Sequence, residues 1–213
     1  MKKTSTLQTI LTVLFVTCMV VSNIITAKQV QLPFNIVMTG GIMVFPMTYV
    51  LSDVFSECYG YRWSRITCYL AFAMNLLSVV IFTIAINTPA PSFWDGQTAF
   101  QTVLGNTPRI LCASLMAYII GDLMNDKVFR AMKSKHQHEM KGFGTRAIVS
   151  SLVGEIFDSL IFFPIAFLGQ MPIESLIQMG VLEVAIKVGY EVVILPLTTQ
   201  VAKSVNRYEE SNG

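Results

Sequence analysis

The chain has 213 residues, of which 53% are hydrophobic and only 13% charged, and its mean hydropathy is +0.58. Soluble domains carry about 25% charged residues. A water-soluble fold could not hide so much apolar surface, so a soluble enzyme or binding domain is excluded and an all-α integral membrane protein is expected.

Three long uncharged runs anchor the reading in chain order. Thr4 to Ala27 is 24 residues without a charge, Gln29 to Ser52 another 24, and Ile66 to Trp94 is 29. A helix needs about 20 mostly apolar residues to cross a bilayer. The first span is placed at about 7–27. Its Met-Lys-Lys start imitates a secretion leader, but the apolar stretch is too long and "IITAKQ" is a poor cleavage site. The second span is placed at about 33–52. It carries "MTGGIMVFP", Met38 to Pro46, whose glycines and proline predict a kinked or broken helix. Transporters use such helices to expose backbone groups to a ligand, and elsewhere they are close-packing devices. The third span is placed at about 66–87. Residues 88–106 read as a loop resting in the membrane interface with Trp94 at headgroup depth.

Three further segments are apolar but interrupted by charge, giving spans at about 107–125, 147–168 and 176–200. The basic stretch 126–146 between two of them reads as a short helical hairpin facing anionic lipid. His136 and His138 in it suit a solvated turn better than a metal site. The expectation is therefore one six-helix transmembrane domain over residues 1–213. With the N-terminus in the cytoplasm, twelve of the fifteen basic residues fall on the cytoplasmic side. Lys28 and Arg109 lie outside, and Lys187 lies within the sixth span. The positive-inside rule then puts both termini in the cytoplasm.

Familiar catalytic signals are absent. No GxxxxGK[ST], HExxH or GxSxG stretch occurs. Cys18, Cys58, Cys68 and Cys112 form no C-x-x-C pair and read as small buried residues. No cofactor, metal or nucleic-acid partner is expected.

The chemistry concentrates in ionisable residues inside the spans: Asp122, Glu155, Asp158, Glu183, Lys187 and Glu191. A charge at the bilayer centre costs about 2.5–3.5 kcal/mol on insertion scales, so such residues face a cavity or a partner. Ser151, Glu155, Asp158 and Phe162 share one stripe of the fifth span. Gly180, Glu183, Lys187 and Tyr190 or Glu191 share one of the sixth. Facing stripes would let Lys187 neutralise one acid and leave the other free, with Gly154 and Gly180 permitting close approach. The plainer account is an interhelical salt bridge that only fixes packing. Four ionisable groups at compatible depth favour a polar cavity instead. Asn23 and Asn75 either line that cavity or join helices.

The second span ends in "FPMTYVLSDVFSECYGYRWSR", Phe45 to Arg65. Together with "SNIITAK" closing the first span, "GEIFDSLIFFPIAF" in the fifth and "KVGYEVVILP" from Lys187 in the sixth, it resembles the bacterial queuosine precursor transporter family, also called the VUT family. The similarity runs through all six spans. The resemblance implies import of 7-cyano-7-deazaguanine or 7-aminomethyl-7-deazaguanine across the bacterial inner membrane for queuosine synthesis in tRNA. It also implies a six-helix fold related to the substrate-binding subunits of vitamin transporters.

A mid-membrane pocket with acids and aromatics suits a guanine-like base. Glu155 or Asp158 is the expected acceptor for the ring N–H and exocyclic amine. Lys187 is expected to balance charge or contact the base's carbonyl. Phe162 and Tyr190 are stacking candidates, and Asn23, Asn75 and Glu183 are further lining candidates. Asp53 is expected to act as a gate or to fix a loop through Arg62 and Arg65. Two other functions share these residues: the binding subunit of an ATP-driven transporter, and an intramembrane enzyme using paired acids. The second lacks a nucleophile beside a base. Coupling to protons, passive carriage and a homodimer are all compatible with the sequence.

Overall fold

The structure is a computed structural model that describes residues 5–33, 36–134 and 143–212. Helix α1 spans Thr6–Ile25. Ser5 starts it with a reciprocal cap. Its hydroxyl accepts from the Gln8 N–H at 3.0 Å, and its own N–H donates to Gln8 Oε1 at 3.4 Å.

The next segment departs from the expected single helix over 33–52. Strand β1, Gln29–Leu32, pairs with strand β2, Ile36–Thr39, in a two-stranded hairpin. A 3-10 turn, Gly40–Met43, then leads into the ten-residue helix α2, Phe45–Val54. The lack of charge over 29–52 measures oiliness, not helicity. Val30, Ile36, Val37 and Thr39 are β-branched and favour strand. The first glycine is needed for passage rather than for a kink: its N–H donates to the Lys28 carbonyl at 2.7 Å, and a Cβ there would overlap the Ile25 carbonyl oxygen. Pro46 does not bend a helix either. It sits in the first turn of α2, where its missing N–H costs nothing. Ten residues make α2 about 15 Å long, half the hydrocarbon core of a bilayer.

A π turn, Phe55–Tyr59, and Gly60, at φ +83°, turn the chain into α3, Tyr61–Asn87. The expected interface loop contains a short helix, α4, Gln97–Leu104. Gln97 Nε2 ties it to the Ile86 carbonyl at 2.8 Å, and the Trp94 and Phe100 rings meet edge to face at 6.2 Å. Helix α5, Thr107–Ser134, runs on into the basic stretch read as a hairpin. His136 and His138 lie outside the described residues. Helix α6, Phe143–Phe167, and helix α7, Ile173–Asn212, are joined by a tight link with Gly169 at φ +84°.

Among the described residues, four stretches are long and apolar enough to cross a membrane: Thr6–Ile25, Tyr61–Asn87, Gln97–Asn125 and Ile148–Phe167. Helix α7 has the length, but Glu183, Lys187 and Glu191 interrupt its apolar part. Mostly helical and oily, the chain is an α-helical membrane protein. The outer face of α3 shows why: Leu76, Leu77, Val80, Ile81 and Ile84 are all exposed, which suits lipid and not water.

The chain forms two compact units. The first comprises Met1–Val30, Thr39–Leu111 and Val193–Gly213. Its core is Phe15, Leu51, Phe55 and Ala71, with the Phe15 and Phe55 rings edge to face at 5.8 Å. The second comprises Gln31–Met38 and Cys112–Val192. Within it α5 and α6 cross almost backbone to backbone. A Cβ on Gly121 would lie 3.0 Å from the Gly154 carbonyl oxygen and 3.2 Å from the Asp158 Cβ. Gly154 thus serves the α5 contact rather than the expected approach of α7. Gly180 faces the Phe163 ring.

Candidate functional site

In the second unit the short link at Gly169 makes α6 and α7 antiparallel neighbours. Residues at similar distances from the turn then meet. Glu155 and Asp158 lie 14 and 11 residues before Gly169, and Glu183 and Lys187 lie 14 and 18 after it. At 1.5 Å per residue the four sit about 16–27 Å from the turn. With the turn at one surface of a bilayer about 40–45 Å thick, that is mid-depth.

The structure brings these four side chains together. Lys187 Nζ lies 2.8 Å from Glu155 Oε2, 2.9 Å from Asp158 Oδ2 and 3.2 Å from Glu183 Oε1. The sequence reading gave Lys187 one acid; here it is shared among three, because both acids of α6 and the preceding turn of α7 converge on one ammonium. Fully ionised, the cluster has two more negative charges than positive. The contact to Asp158 is a hydrogen bond. That to Glu155 is an ion pair by distance, and Glu155 Oε2 lacks hydrogen-bond geometry with any partner.

Burial divides the cluster into two sides. The Lys187 and Glu183 side chains are 10% and 7% exposed, whereas those of Glu155 and Asp158 are 24% and 25% exposed. The first pair forms the floor and the second an open edge. On the floor, Glu183 Oε2 is buried with no hydrogen-bond partner. Elsewhere on α6, Ser159 Oγ, next in the chain to Asp158, is likewise buried and unpartnered. Buried polar atoms normally find partners, so these two mark unused bonding capacity. An open, anionic edge of this kind can accept hydrogen bonds from N–H groups or pair with a cation.

The aromatic candidates sit differently. Phe162 is buried beside Phe163 and Phe167, with ring centroids 5.4 and 6.0 Å away, so its ring packs the α6 end of the hairpin. Tyr190 lies one turn beyond Lys187 and is half-buried. Asp122 is half-buried on α5. The Glu191 side chain lies outside the described residues.

Asn23 and Asn75 belong to the first unit. Asn23 Nδ2 donates to Asn75 Oδ1 at 2.7 Å, and Asn75 Nδ2 donates to the Ala71 carbonyl at 2.9 Å. This pair joins α1 to α3 beside a narrow crevice also lined by Ser78, Phe82 and Thr107. The crevice holds little more than a water-sized molecule. Ser78, Phe82 and Thr107 carry no charge, so nothing in the sequence singled them out. Asp53 is exposed near the end of α2. Arg62 is exposed, and Arg65 folds onto Tyr61, with its Nε donating to the hydroxyl at 2.7 Å and its guanidinium 4.9 Å from the ring centroid.

Comparison with known proteins places this geometry in context. The chain is 28% identical over 194 residues to a Bacillus subtilis (strain 168) protein named "Probable queuosine precursor transporter", covering 91% of this chain and 83% of that protein. It is 27% identical over 141 residues to the Escherichia coli (strain K12) "Queuosine precursor transporter", covering 65% of this chain and 60% of that protein. No solved structure matches. The model of the family described as "Putative vitamin uptake transporter" matches residues 39–201, about three quarters of the sequence, and the chain belongs to that family.

Proposed function

We propose that this protein imports queuosine precursors, 7-cyano-7-deazaguanine or 7-aminomethyl-7-deazaguanine, as a multi-pass carrier in the bacterial inner membrane. The observation that carries the reading is the similarity to the Bacillus subtilis protein over 91% of this chain. The charged cluster supports it from the side of chemistry. A deazaguanine presents a ring N–H and an exocyclic amine along one edge. A carboxylate of the open pair, Glu155 or Asp158, accepts both. A buried donor left without a partner costs about 1–3 kcal/mol, so bases lacking that edge are rejected.

Lys187 gives the empty site a way to exist inside the membrane. Its ammonium occupies the acids until the base arrives, and its flexible four-carbon stem lets it yield the open edge while keeping Glu183. Asp53 with Arg62 and Arg65 is proposed as the cytoplasmic gate, and both termini are proposed to lie on that side.

The test uses a bacterium that neither makes nor imports these bases. Each base is supplied at low concentration, the protein is expressed, and queuosine in tRNA is measured. Rescue is expected for wild type and loss of rescue for Glu155→Gln and Asp158→Asn, with unchanged protein in the membrane. No gain over an empty vector refutes the cargo, and full rescue by both variants moves the site elsewhere.

A further inference from the structure

We infer that the α6–α7 cluster is a site for an organic ammonium ion, so that the 7-aminomethyl base is preferred over the 7-cyano base. The inference rests on the transport reading above and goes further by choosing between its two cargoes. The two molecules share the guanine-like edge. They differ in one substituent: a primary amine, protonated at neutral pH as lysine is, against an uncharged nitrile.

Charge count, burial and unused bonding capacity lead to the choice. Three carboxylates surround a single ammonium within 3.2 Å. With all three ionised, Lys187 leaves an excess of negative charge. Glu155 and Asp158 form the open edge, with 24% and 25% of each side chain exposed, so a second cation can reach them. Independently of the charge count, Glu183 is 5% exposed and its Oε2 has no hydrogen-bond partner, although its Oε1 faces Lys187. A carboxylate buried that deeply with one oxygen unpaired is the mark of a missing donor.

An arriving ammonium supplies charge and donors to the open edge, and so frees Lys187 to give Glu183 the donor it lacks. One open carboxylate takes the guanine edge and the other takes the ammonium, while Lys187 withdraws onto Glu183. With an ammonium-bearing cargo the loaded site has a smaller charge excess than the empty one. With a nitrile the excess persists, and the nitrile nitrogen, an acceptor only, meets carboxylates that are acceptors too.

The experiment is competition in the same transport-deficient cells expressing the full chain. Uptake of each base is first measured with its own label, and uptake of the labelled 7-aminomethyl base is then competed with unlabelled 7-aminomethyl and 7-cyano bases. The aminomethyl base is expected to inhibit at a concentration at least about tenfold lower. Glu183→Gln keeps the side-chain shape and removes one negative charge, so it is expected to narrow that ratio to about threefold or less. Persistent uptake that the cyano base inhibits equally well or better overturns the preference and leaves the transport reading intact. Uptake of neither labelled base refutes the transport reading itself. Should Glu183→Gln fail to accumulate, the wild-type ratio still decides.

Discussion

Replacing Lys187 with Met separates its two jobs, neutralising charge and filling space. Methionine matches the stem but removes the ammonium, so contacts at 2.8, 2.9 and 3.2 Å are lost together. Three carboxylates then share one small, mostly buried volume with no counter-ion among the described residues. Breaking a buried ion pair by removing one partner costs about 3–5 kcal/mol. The reverse change is far milder. Asp158→Asn loses one charge-assisted hydrogen bond but leaves Nζ with Glu155 and Glu183, and it relieves carboxylate repulsion. Its net cost is about 1 kcal/mol or less. For a chain of this size 1 kcal/mol moves Tm by about 2–4 °C. In mild detergent Lys187→Met is therefore expected to melt about 6–20 °C below wild type, and Asp158→Asn within about 4 °C of it. The double variant is expected to recover part of the loss. A Lys187→Met protein as stable as wild type, or an Asp158→Asn protein that is worse, refutes the shared-ammonium account.

Two further substitutions test the first unit. Gly40→Val drives a side chain into the Ile25 carbonyl at the end of α1, so little protein is expected to reach the membrane; normal accumulation measured by immunoblot contradicts the close approach seen there. Asn75→Ala breaks the Asn23 pair, and hydrogen bonds between membrane helices contribute about 0.6–2 kcal/mol. A double-mutant cycle with Asn23→Ala, read by thermal unfolding, is expected to show a coupling of that order, and strict additivity removes the pair from the structure's supports.

Where the sequence was legible, one signal dominated. Uninterrupted apolar length located α1 and α3, because lipid demands a backbone that satisfies its own hydrogen bonds over the whole crossing. The same signal misled over 29–52. A hairpin followed by a half-length helix is as free of charge as one long helix, and only the β-branched residues of the two strands and the Pro46 position tell them apart. Charged residues inside apolar runs marked the cluster, since lipid tolerates them only with partners. Their count could not show that Lys187 serves three acids. That depends on register, which the Gly169 turn sets by folding α6 back along α7. The role of Gly121 stayed hidden for a similar reason: a small residue in a helix has no meaning until its neighbour is known. The Asn23–Asn75 bond joins positions 52 residues apart, and no local pattern encodes it.

The brevity of the link at Gly169 has a consequence for biogenesis. Helix α6 leaves the ribosome carrying two acids whose lysine is synthesised 29 residues after Asp158. Until that lysine arrives, the translocon is offered a segment with uncompensated charge, which it is poorly disposed to release sideways into lipid. If α7 enters the membrane as a sixth span, the two helices would partition best as a hairpin, already charge-matched, rather than one after the other.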